Sequence, residues 1–280
     1  MKSTSWIFKD FLSKHRVKSF DSLLSRRIPT SNARKHLQIG EHFLFFPPPF
    51  DNLGKDGYFN YQSPATLLEN PELRYRRRIW GQGELMQYSP LNLDQEYTCQ
   101  ESIKYIKKLR DEHIVCIERA LLQDCPENGP GKNGVCLLER RVLMYTNSLA
   151  NKISAKSPTE KEDYTSIKTL TITDMDIIAY GQQSLNPHRI HWDKEYSRQV
   201  EGYEDIIMQG PFSVQLLVKC IQPLFGKPIT QLRYRNLNYI YPGTTLNICQ
   251  SLNPSSNTVA FQVRDLQKTN SIYLTAEVSC

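Results

Sequence analysis

Two histidines, an arginine, a carboxamide and a carboxylate lie within the eight residues 186–193. An imidazole takes up and releases protons near neutral pH, so His188 and His191 are candidates for acid and base catalysis. Nineteen residues after His191, Gly210 and Pro211 open an apolar stretch with helical spacing. The first turn of a helix has backbone N–H groups without intrahelical partners, and these can stabilise a developing oxyanion. The spacing therefore predicts a proton-transfer group near an oxyanion-binding helix start.

Short helices must hold this loop in place. Thr173 with Asp176 three residues later is a capping signal, which predicts a helix over residues 173–183. Asp193 can cap a second short helix. The stretch 211–221 is apolar on most faces, which indicates a helix buried on all sides. A proline suits the first position of that helix because no N–H is needed there.

The chain divides into four regions by composition, and 280 residues suit two domains of roughly 100–150 residues each. The regions are a basic leader over 1–38, a first α+β unit over 39–147, a linker over 148–164 and a second unit over 165–280. Alternating, β-branched runs predict strands in the first unit over 97–107, 113–122 and 135–146. In the second unit they predict strands over 165–172, 231–241, 244–252, 259–266 and 271–278.

The first unit contains no loop like residues 186–193, so its predicted role is structural, with the wall of an acyl tunnel as the functional alternative. Pro64 and Pro71 predict a short or broken helix over 59–72. Residues 45–50, Phe-Phe-Pro-Pro-Pro-Phe, form a stiff segment that we expect to lie on the surface, packed by its aromatic rings.

Positive charge is concentrated at the N-terminus. Residues 1–40 carry nine Lys or Arg and two Asp, a net charge of +7, so the other 240 residues contribute −1 to the total of +6. A body near neutrality argues against a nucleic-acid-binding protein, which needs a basic face on its folded domains. The leader is amphipathic, rich in serine and poor in acids, which is typical of a mitochondrial transit peptide. An ordinary first helix of the domain is the alternative.

Several other functions are disfavoured by the composition. Seven cysteines form no CxxC pair, and their odd number indicates reduced thiols in an intracellular compartment. No run of about 18 apolar residues exists, so no membrane span is predicted. His188 and His191 have a spacing that suits a metal, but no further Cys or His cluster lies near them in sequence, so no metal site is predicted.

The order of these features resembles a known family. A short helix, the sequence Asn-x-His-Arg-Ile-His-x-Asp, a second short helix and Gln-Gly-Pro before an apolar helix are similar to the MaoC-type, R-specific hydratases and dehydratases. Residues 76–83, Arg-Arg-Arg-Ile-Trp-Gly-Gln-Gly, extend the resemblance into the first half, towards mitochondrial members with two fused domains. The resemblance implies an α+β double hot-dog fold, in which each domain is an antiparallel sheet wrapped around a central helix.

The resemblance also implies roles for individual residues. His191, followed by Asp193, matches the family's catalytic histidine, and Gly210 matches the glycine whose N–H faces the thioester carbonyl. The family's second catalytic group is an aspartate, and its position is occupied here by Asn186, whose carboxamide does not exchange protons at neutral pH. Three divisions of the work stay open: His191 makes both proton transfers, His188 takes one of them, or Asn186 only orients the leaving hydroxyl. We favour His191 as acid and base, with Asn186 orienting and His188 supporting, or fixing the tautomer of His191.

Three further residues are candidate substrate contacts. Gln209 and Pro211 flank Gly210, and Arg189 is a candidate for contact with a phosphate of the acyl carrier, with a structural ion pair as the alternative. Residues 74–78 are the densest positive cluster outside the leader. Such a cluster suits the docking of an acidic carrier protein, or else it marks the two faces of a strand.

The implied function is a hydro-lyase that interconverts (3R)-3-hydroxyacyl and trans-2-enoyl thioesters on acyl carrier protein, in type II fatty acid synthesis in the mitochondrial matrix. No cofactor is implied beyond the phosphopantetheine arm of the substrate. A monomer is favoured, because one chain with two fused hot-dogs supplies both halves of the usual dimer. The alternatives are an R-specific enoyl-CoA hydratase of another pathway and a non-catalytic scaffold that binds acyl thioesters, which Asn186 in place of the acid favours.

Overall fold

One antiparallel sheet is the framework of the protein in the computed structural model, which describes residues 5–29, 34–123, 134–150, 163–252, 258–268 and 270–280. Its ten strands in these ranges are β1 (Ser5–Phe11), β2 (Arg77–Gln87), β3 (Glu96–Leu109), β4 (Glu112–Leu122), β5 (Val135–Thr146), β6 (Tyr164–Thr171), β7 (Gln231–Asn236), β8 (Thr245–Ser251), β9 (Val259–Asp265) and β10 (Ile272–Ser279). The helices are α1 (Lys14–Leu24), α2 (Pro64–Leu67), α3 (Asp174–Gln183), α4 (Lys194–Tyr196) and α5 (Gly210–Ile221). Short turns of other helix types lie at Glu41–Leu44, Arg189–His191, Ser197–Glu201 and Gln222–Leu224.

The strand order repeats itself about the middle of the sheet. The order is β1-β3-β4-β5-β2-β7-β10-β9-β8-β6, so each half has the same arrangement and the halves join at β2 and β7. These two strands pair antiparallel from Gln82 opposite Arg235 to Met86 opposite Gln231. The sheet is therefore continuous across the two units. Two fused hot-dogs of α+β class are confirmed.

The central helix of the second half is α5, which the sheet covers. Ten of its side chains are buried, among them Phe212, Leu216 and Leu217. Phe212 stacks on Tyr180 of α3 with ring centroids 4.4 Å apart, which fixes the start of α5 against the preceding helix. The prediction of a helix buried on all sides is confirmed.

The N-terminal segment is part of the first unit. Strand β1 pairs with β3 along its whole length, and α1 buries Val17, Phe20 and Leu24 in the main core. Asp21 of α1 accepts a hydrogen bond of 2.6 Å from the buried Lys219 ammonium of α5. The predicted boundary at residue 39 is therefore wrong, since the described part of the leader is folded. The boundary was misassigned because one residue pattern fits two structures. Apolar and basic residues alternate in a half-buried strand and a surface helix, and the same residues make up an amphipathic leader.

The first unit has no counterpart of α5 among its described residues. Between Pro64 and Pro71 only the four-residue α2 forms, as predicted. The aromatic segment that follows the turn at Glu41–Leu44 packs into the main core with Phe45 and Phe46, while Phe50 is 49% exposed. The prediction of a surface segment is therefore correct only for its end. Of the predicted linker, residues 151–162 lie outside the described residues.

Candidate active site

A cavity of about 270 Å³ lies beside the start of α5, between the two units. Its wall is formed by β2, residues 186–191, the first turn of α5 and the loop after β7. About half of the lining side chains are apolar, and the polar or charged ones are Tyr58, Arg78, Asn186, His188, His191, Tyr203, Ser213, Asn236, Asn238 and Tyr239, with the indole of Trp80 beside them. A cavity that combines apolar walls with convergent polar groups is typical of a small-molecule site. The loop after β7 lines the cavity because this strand ends at Asn236, earlier than the sequence predicted.

His191 has a defined tautomer. Its Nδ1 lies 2.7 Å from the carbonyl oxygen of Ile207. A carbonyl only accepts hydrogen bonds, so Nδ1 carries the proton and Nε2 keeps a lone pair. Burial lowers the pKa of His191 from 6.5 to about 3, with a further contribution from the charge of His188 and an opposing one from Ile207. At neutral pH the side chain is therefore an uncharged base.

His188 is buried next to His191, with the two rings perpendicular and their centroids 5.4 Å apart. Its Nε2 lies 3.5 Å from a carboxylate oxygen of Glu201 and 3.7 Å from one of Asp56. It does not fix the tautomer of His191, because the carbonyl of Ile207 does so. The expectation that His188 fixes this tautomer was therefore wrong. The sequence could not reveal the true partner, because a backbone carbonyl sixteen residues away has no sequence signature.

Asn186 turns its carbonyl away from the cavity. Its Oδ1 accepts a hydrogen bond of 3.1 Å from the backbone N–H of His188, an arrangement that fixes the amide orientation. The Nδ2 group makes no hydrogen bond to any part of the chain that the structure describes. Since Asn186 lines the cavity, this amide is a donor available to a ligand.

Gly210 lies where no side chain fits. A Cβ atom built on it would come within 3.0 Å of Trp80 Cβ and 3.0 Å of Asn236 Nδ2. The Gly210 N–H donates to no acceptor among the described residues, as expected for the first turn of a helix. Its carbonyl accepts a hydrogen bond of 2.7 Å from Ser213 Oγ, which holds the turn. A free N–H and the close approach of Trp80 together explain the glycine.

The remaining predicted residues separate into two groups. Pro211 lines the cavity with Gly210. Gln209 does not: it is fully buried behind the helix start and donates a hydrogen bond of 2.9 Å to the carbonyl of Ile177. Arg189 lies in a neighbouring groove, where it pairs with Asp193 at 2.6 Å. The structural ion pair that we held as the alternative for Arg189 is therefore present.

Several residues of the site were missed in the sequence because the first unit supplies them. Tyr58, Arg78 and Trp80 line the cavity of the second unit. Arg78 also binds Asp56 Oδ2 at 2.8 Å and so orients the carboxylate near His188. Only the similarity of residues 76–83 to the family pointed to this region.

A smaller cavity of about 60 Å³ adjoins the first and shares Tyr58, Trp80, Asn186 and Pro211 with it. Its far wall is polar, with Gln62, Glu101, Arg119 and Arg141. The oxygens Gln62 Oε1 and Tyr180 Oη are buried there without a hydrogen-bond partner from the described residues. A polar space of this volume fits one or two water molecules.

An open groove with basic side chains lies outside the cavity and shares Arg78 with it. We call it the basic groove; Lys55, Arg74 and Arg76 line it and form no ion pair with any described residue. Arg77, by contrast, is buried and donates to the carbonyl of Ser148. The string 74–78 is thus divided between an exposed surface and the interior.

The described residues include no group of three or more side chains placed to hold a metal ion. Within the same ranges, no helix has the length and apolar character needed to cross a bilayer.

Comparisons with known proteins identify the family to which the chain belongs. The family model for hydroxyacyl-thioester dehydratase type 2 matches residues 40–242. Over 280 residues, all of both chains, the sequence is 71% identical to a Saccharomyces cerevisiae protein named hydroxyacyl-thioester dehydratase type 2, mitochondrial. Among solved structures, a MaoC-like dehydratase from Phytophthora capsici has a TM-score of 0.72 at 13% identity, covering 99% of this chain and 95% of its own. A Mycobacterium tuberculosis protein with a double hot-dog fold has a TM-score of 0.60 at 8% identity, covering 100% of this chain and 96% of its own. The chain belongs to the hydroxyacyl-thioester dehydratase type 2 family.

Proposed function

We propose that the chain catalyses the reversible dehydration of (3R)-3-hydroxyacyl thioesters to trans-2-enoyl thioesters. One observation carries the proposal: uncharged His191 and the free N–H of Gly210 line the same cavity. A base and an oxyanion donor can then act on adjacent atoms of one thioester.

The reaction starts at C2 of the acyl chain. Nε2 of His191 removes the C2 proton while the developing negative charge moves onto the thioester oxygen. The Gly210 N–H donates a hydrogen bond to that oxygen, and the positive end of the α5 dipole adds to the stabilisation. Both groups are already in place before the reaction, so little reorganisation is needed.

Loss of the hydroxyl takes place on the Asn186 side of the cavity. Nδ2 of Asn186 donates a hydrogen bond to the 3-hydroxyl and orients it for departure. The C3–O bond breaks as the hydroxyl takes up one proton from one of the two histidines that line the cavity, and it leaves as water. The adjoining polar cavity has room to receive that water. In the hydration direction the same cavity supplies the water.

The acyl carrier in this proposal is acyl carrier protein, and the only prosthetic group involved is the substrate's own phosphopantetheine arm. The basic groove supports this assignment, because its unpaired cations Lys55, Arg74 and Arg76 complement an acidic partner beside the cavity. A carrier of this kind places the reaction in type II fatty acid synthesis. The mitochondrial relative supports the mitochondrial matrix as its location.

A monomer is part of the proposal. The pairing of β2 with β7 joins the two hot-dogs within one chain, so a second copy is not needed to complete the cavity. Sedimentation of the purified protein measures this directly, and a dimer that dissociates with loss of activity would contradict it.

The direct test is turnover of matched 3-hydroxyacyl and enoyl substrates on acyl carrier protein and on CoA, with wild type and His191→Ala. We expect wild-type turnover in both directions, higher kcat/KM on acyl carrier protein and loss of both activities in the variant. Binding of acyl thioesters without turnover would favour the scaffold instead.

A charge-reversal variant tests the carrier. Arg74→Glu with Arg76→Glu should raise KM for the acyl carrier protein substrate about tenfold at low salt, and leave KM for the CoA substrate unchanged. Lys107→Glu with Lys108→Glu, on the hairpin between β3 and β4, is the matched control. Equal effects on both carriers would show that the groove does not select the carrier protein.

A further inference from the structure

Glu201 is a buried acid that the reaction described so far does not use. Its side chain is fully buried, and neither carboxylate oxygen accepts a well-formed hydrogen bond from the described residues. The hydroxyl of Tyr196 lies nearby, and burial followed by the charge of Glu201 raises the pKa of that hydroxyl. An ionised carboxylate in such a place is strongly disfavoured unless a positive charge lies close by. The nearest cationic group is His188, whose Nε2 lies 3.5 Å from Oε1.

The backbone holds Glu201 in this position. It ends the π-helical turn Ser197–Glu201, a rare conformation that is frequent at functional sites. Gly202 follows in the left-handed region at φ 79°, and a Cβ there would come within 3.1 Å of Leu149. Ser197 Oγ also donates a hydrogen bond of 2.8 Å to the carbonyl of Asp205, which closes the turn.

Other charged and titratable groups also face His188. Asp56 lies 3.7 Å from the same Nε2 atom, but it is shared with Arg78, which binds it at 2.8 Å. The ring of Tyr58 lies 5.5 Å away, and His191 is the neighbour on the cavity side. Of the two carboxylates, only Glu201 has no other cation within ion-pair distance in the described part of the chain.

Nε2 of His188 is thus directed at carboxylates, which leaves Nδ1 for the cavity. Nδ1 has no hydrogen-bond partner among the described residues and, unlike Nε2, is not enclosed. A histidine with a carboxylate behind it and a free nitrogen in front can donate a proton.

We propose that Glu201 is a positioning residue that keeps His188 protonated, and that His188 is the acid for the leaving hydroxyl in place of the carboxyl group absent at Asn186. The inference rests on the proposed dehydratase function and adds a second proton-transfer group to it.

The protons balance over one turnover. His191 gains the C2 proton as the C2–C3 double bond forms, and the C3–O bond breaks as His188 Nδ1–H protonates the oxygen. Water leaves, and the charge passes from the His188 site to the His191 site. One proton then returns from His191 to His188 through solvent, which restores both residues.

The test compares two leaving groups. Glu201→Gln should lower kcat for a (3R)-3-hydroxyacyl-CoA roughly 10²-fold with KM within about threefold. Elimination of chloride from (3R)-3-chlorobutanoyl-CoA should be nearly unaffected, because chloride leaves without a proton. His191→Ala should lose both reactions, since both need the C2 proton removed. Glu204→Gln, an exposed neighbour on the same segment, is the matched control and should behave as wild type.

The outcomes separate the two proposals. If wild type eliminates neither group, the dehydratase function is wrong. If wild type is active and Glu201→Gln matches it, or loses both eliminations equally, Glu201 does not support an acid. If Glu201→Gln does not fold, His188→Gln is assayed with the same two substrates. Loss of the acid should slow the loss of water and leave the elimination of chloride intact. An equal fall in both reactions would overturn the role of His188 as the acid.

Discussion

Nδ1 of His191 lies 2.7 Å from the carbonyl oxygen of Ile207, three residues before the helix start that carries the oxyanion donor. The hydrogen bond fixes the tautomer of the base and also ties its ring to the segment leading into α5. The base and the Gly210 N–H are therefore positioned by one stretch of backbone, so the distance between them depends on few other elements.

Loss of the base is the first test. His191→Ala should lower kcat roughly 10²–10⁴-fold, the usual contribution of a positioned proton-transfer group. His15→Ala, an exposed histidine on α1, is the control. A folded His191→Ala protein that keeps most of its activity would rule out the assignment.

The low pKa of His191 predicts an unusual acid dependence. A base acts when neutral, so kcat/KM should persist below pH 6.5 and fall only as the pH approaches the His191 pKa of about 3. The profile is measured in short assays that begin when the enzyme is mixed into buffer of each pH, because the stability of the fold also changes with pH. A fall in kcat/KM centred near pH 6.5, with the protein still folded, would contradict the burial of this ring.

Stability should follow the same titration. The folded pKa of His191 is depressed below 6.5, so the unfolded state binds the proton more readily between pH 3 and 6.5. The stability that comes from the neutral ring is complete above pH 6.5 and is lost as the pH falls towards 3. Urea titrations should show a smaller loss on acidification for His191→Gln than for wild type; parallel losses would argue against the shift.

Gly210 should not accept a side chain. Gly210→Val would collide with Trp80 and block the carbonyl of the substrate, so turnover should fall roughly 10²-fold or more, as for a lost oxyanion donor. Gly226→Val is the control, because a Cβ there meets no atom within 4 Å. Near-normal kcat in folded Gly210→Val would refute the role.

Asn186 should matter less than the base. Asn186→Ala removes one donor to the hydroxyl and one backbone partner, and we expect a cost on the order of 1–3 kcal/mol in the activation free energy. Asn186→Asp would not test the donor alone, because it keeps the acceptor for the His188 N–H and also introduces the carboxyl group of the family's second catalytic residue. Equal kcat of folded Asn186→Ala and wild type would show that the Nδ2 donor is not needed.

A buried ion pair should anchor the N-terminus to the catalytic helix. Lys219 lies 2.6 Å from Asp21 and 2.5 Å from Glu41, so Lys219→Met leaves two buried carboxylates with one fewer cation. The free energy of unfolding should fall by about 3–5 kcal/mol. Lys194 pairs with Asp205, and the lysine side chain is 55% exposed. Lys194→Met should therefore lower the free energy of unfolding by at most about 1 kcal/mol. Similar effects of both changes would show that α1 contributes little.

The catalytic half was predictable from sequence because its signals are local. The capping pair Thr173 and Asp176, the histidines and the apolar helix after Gly210 are each read within a few residues, and the structure contains all three elements. Strand β1 was missed because its alternation over seven residues is too short to distinguish from one face of a helix.

The support of the site could not be predicted in the same way. Asp56 and Glu201 reach the same nitrogen of His188, one from each unit, and neither lies next to it in the chain. The burial of Gln209 depends on a bond to a carbonyl of α3, which no spacing in the sequence encodes. These contacts arise only when the sheet has closed.

The pairing of β2 with β7 predicts which positions should not tolerate substitution. Trp80 stands on a strand of the half without its own proton-transfer residues, yet it touches the position where a Gly210 side chain would begin. A change of register or residue along β2 therefore alters the catalytic geometry as directly as a change in α5. A deep mutational scan scored for turnover should show a band of intolerance in residues 77–87 as severe as that around the histidines, even though that band carries out no proton transfer.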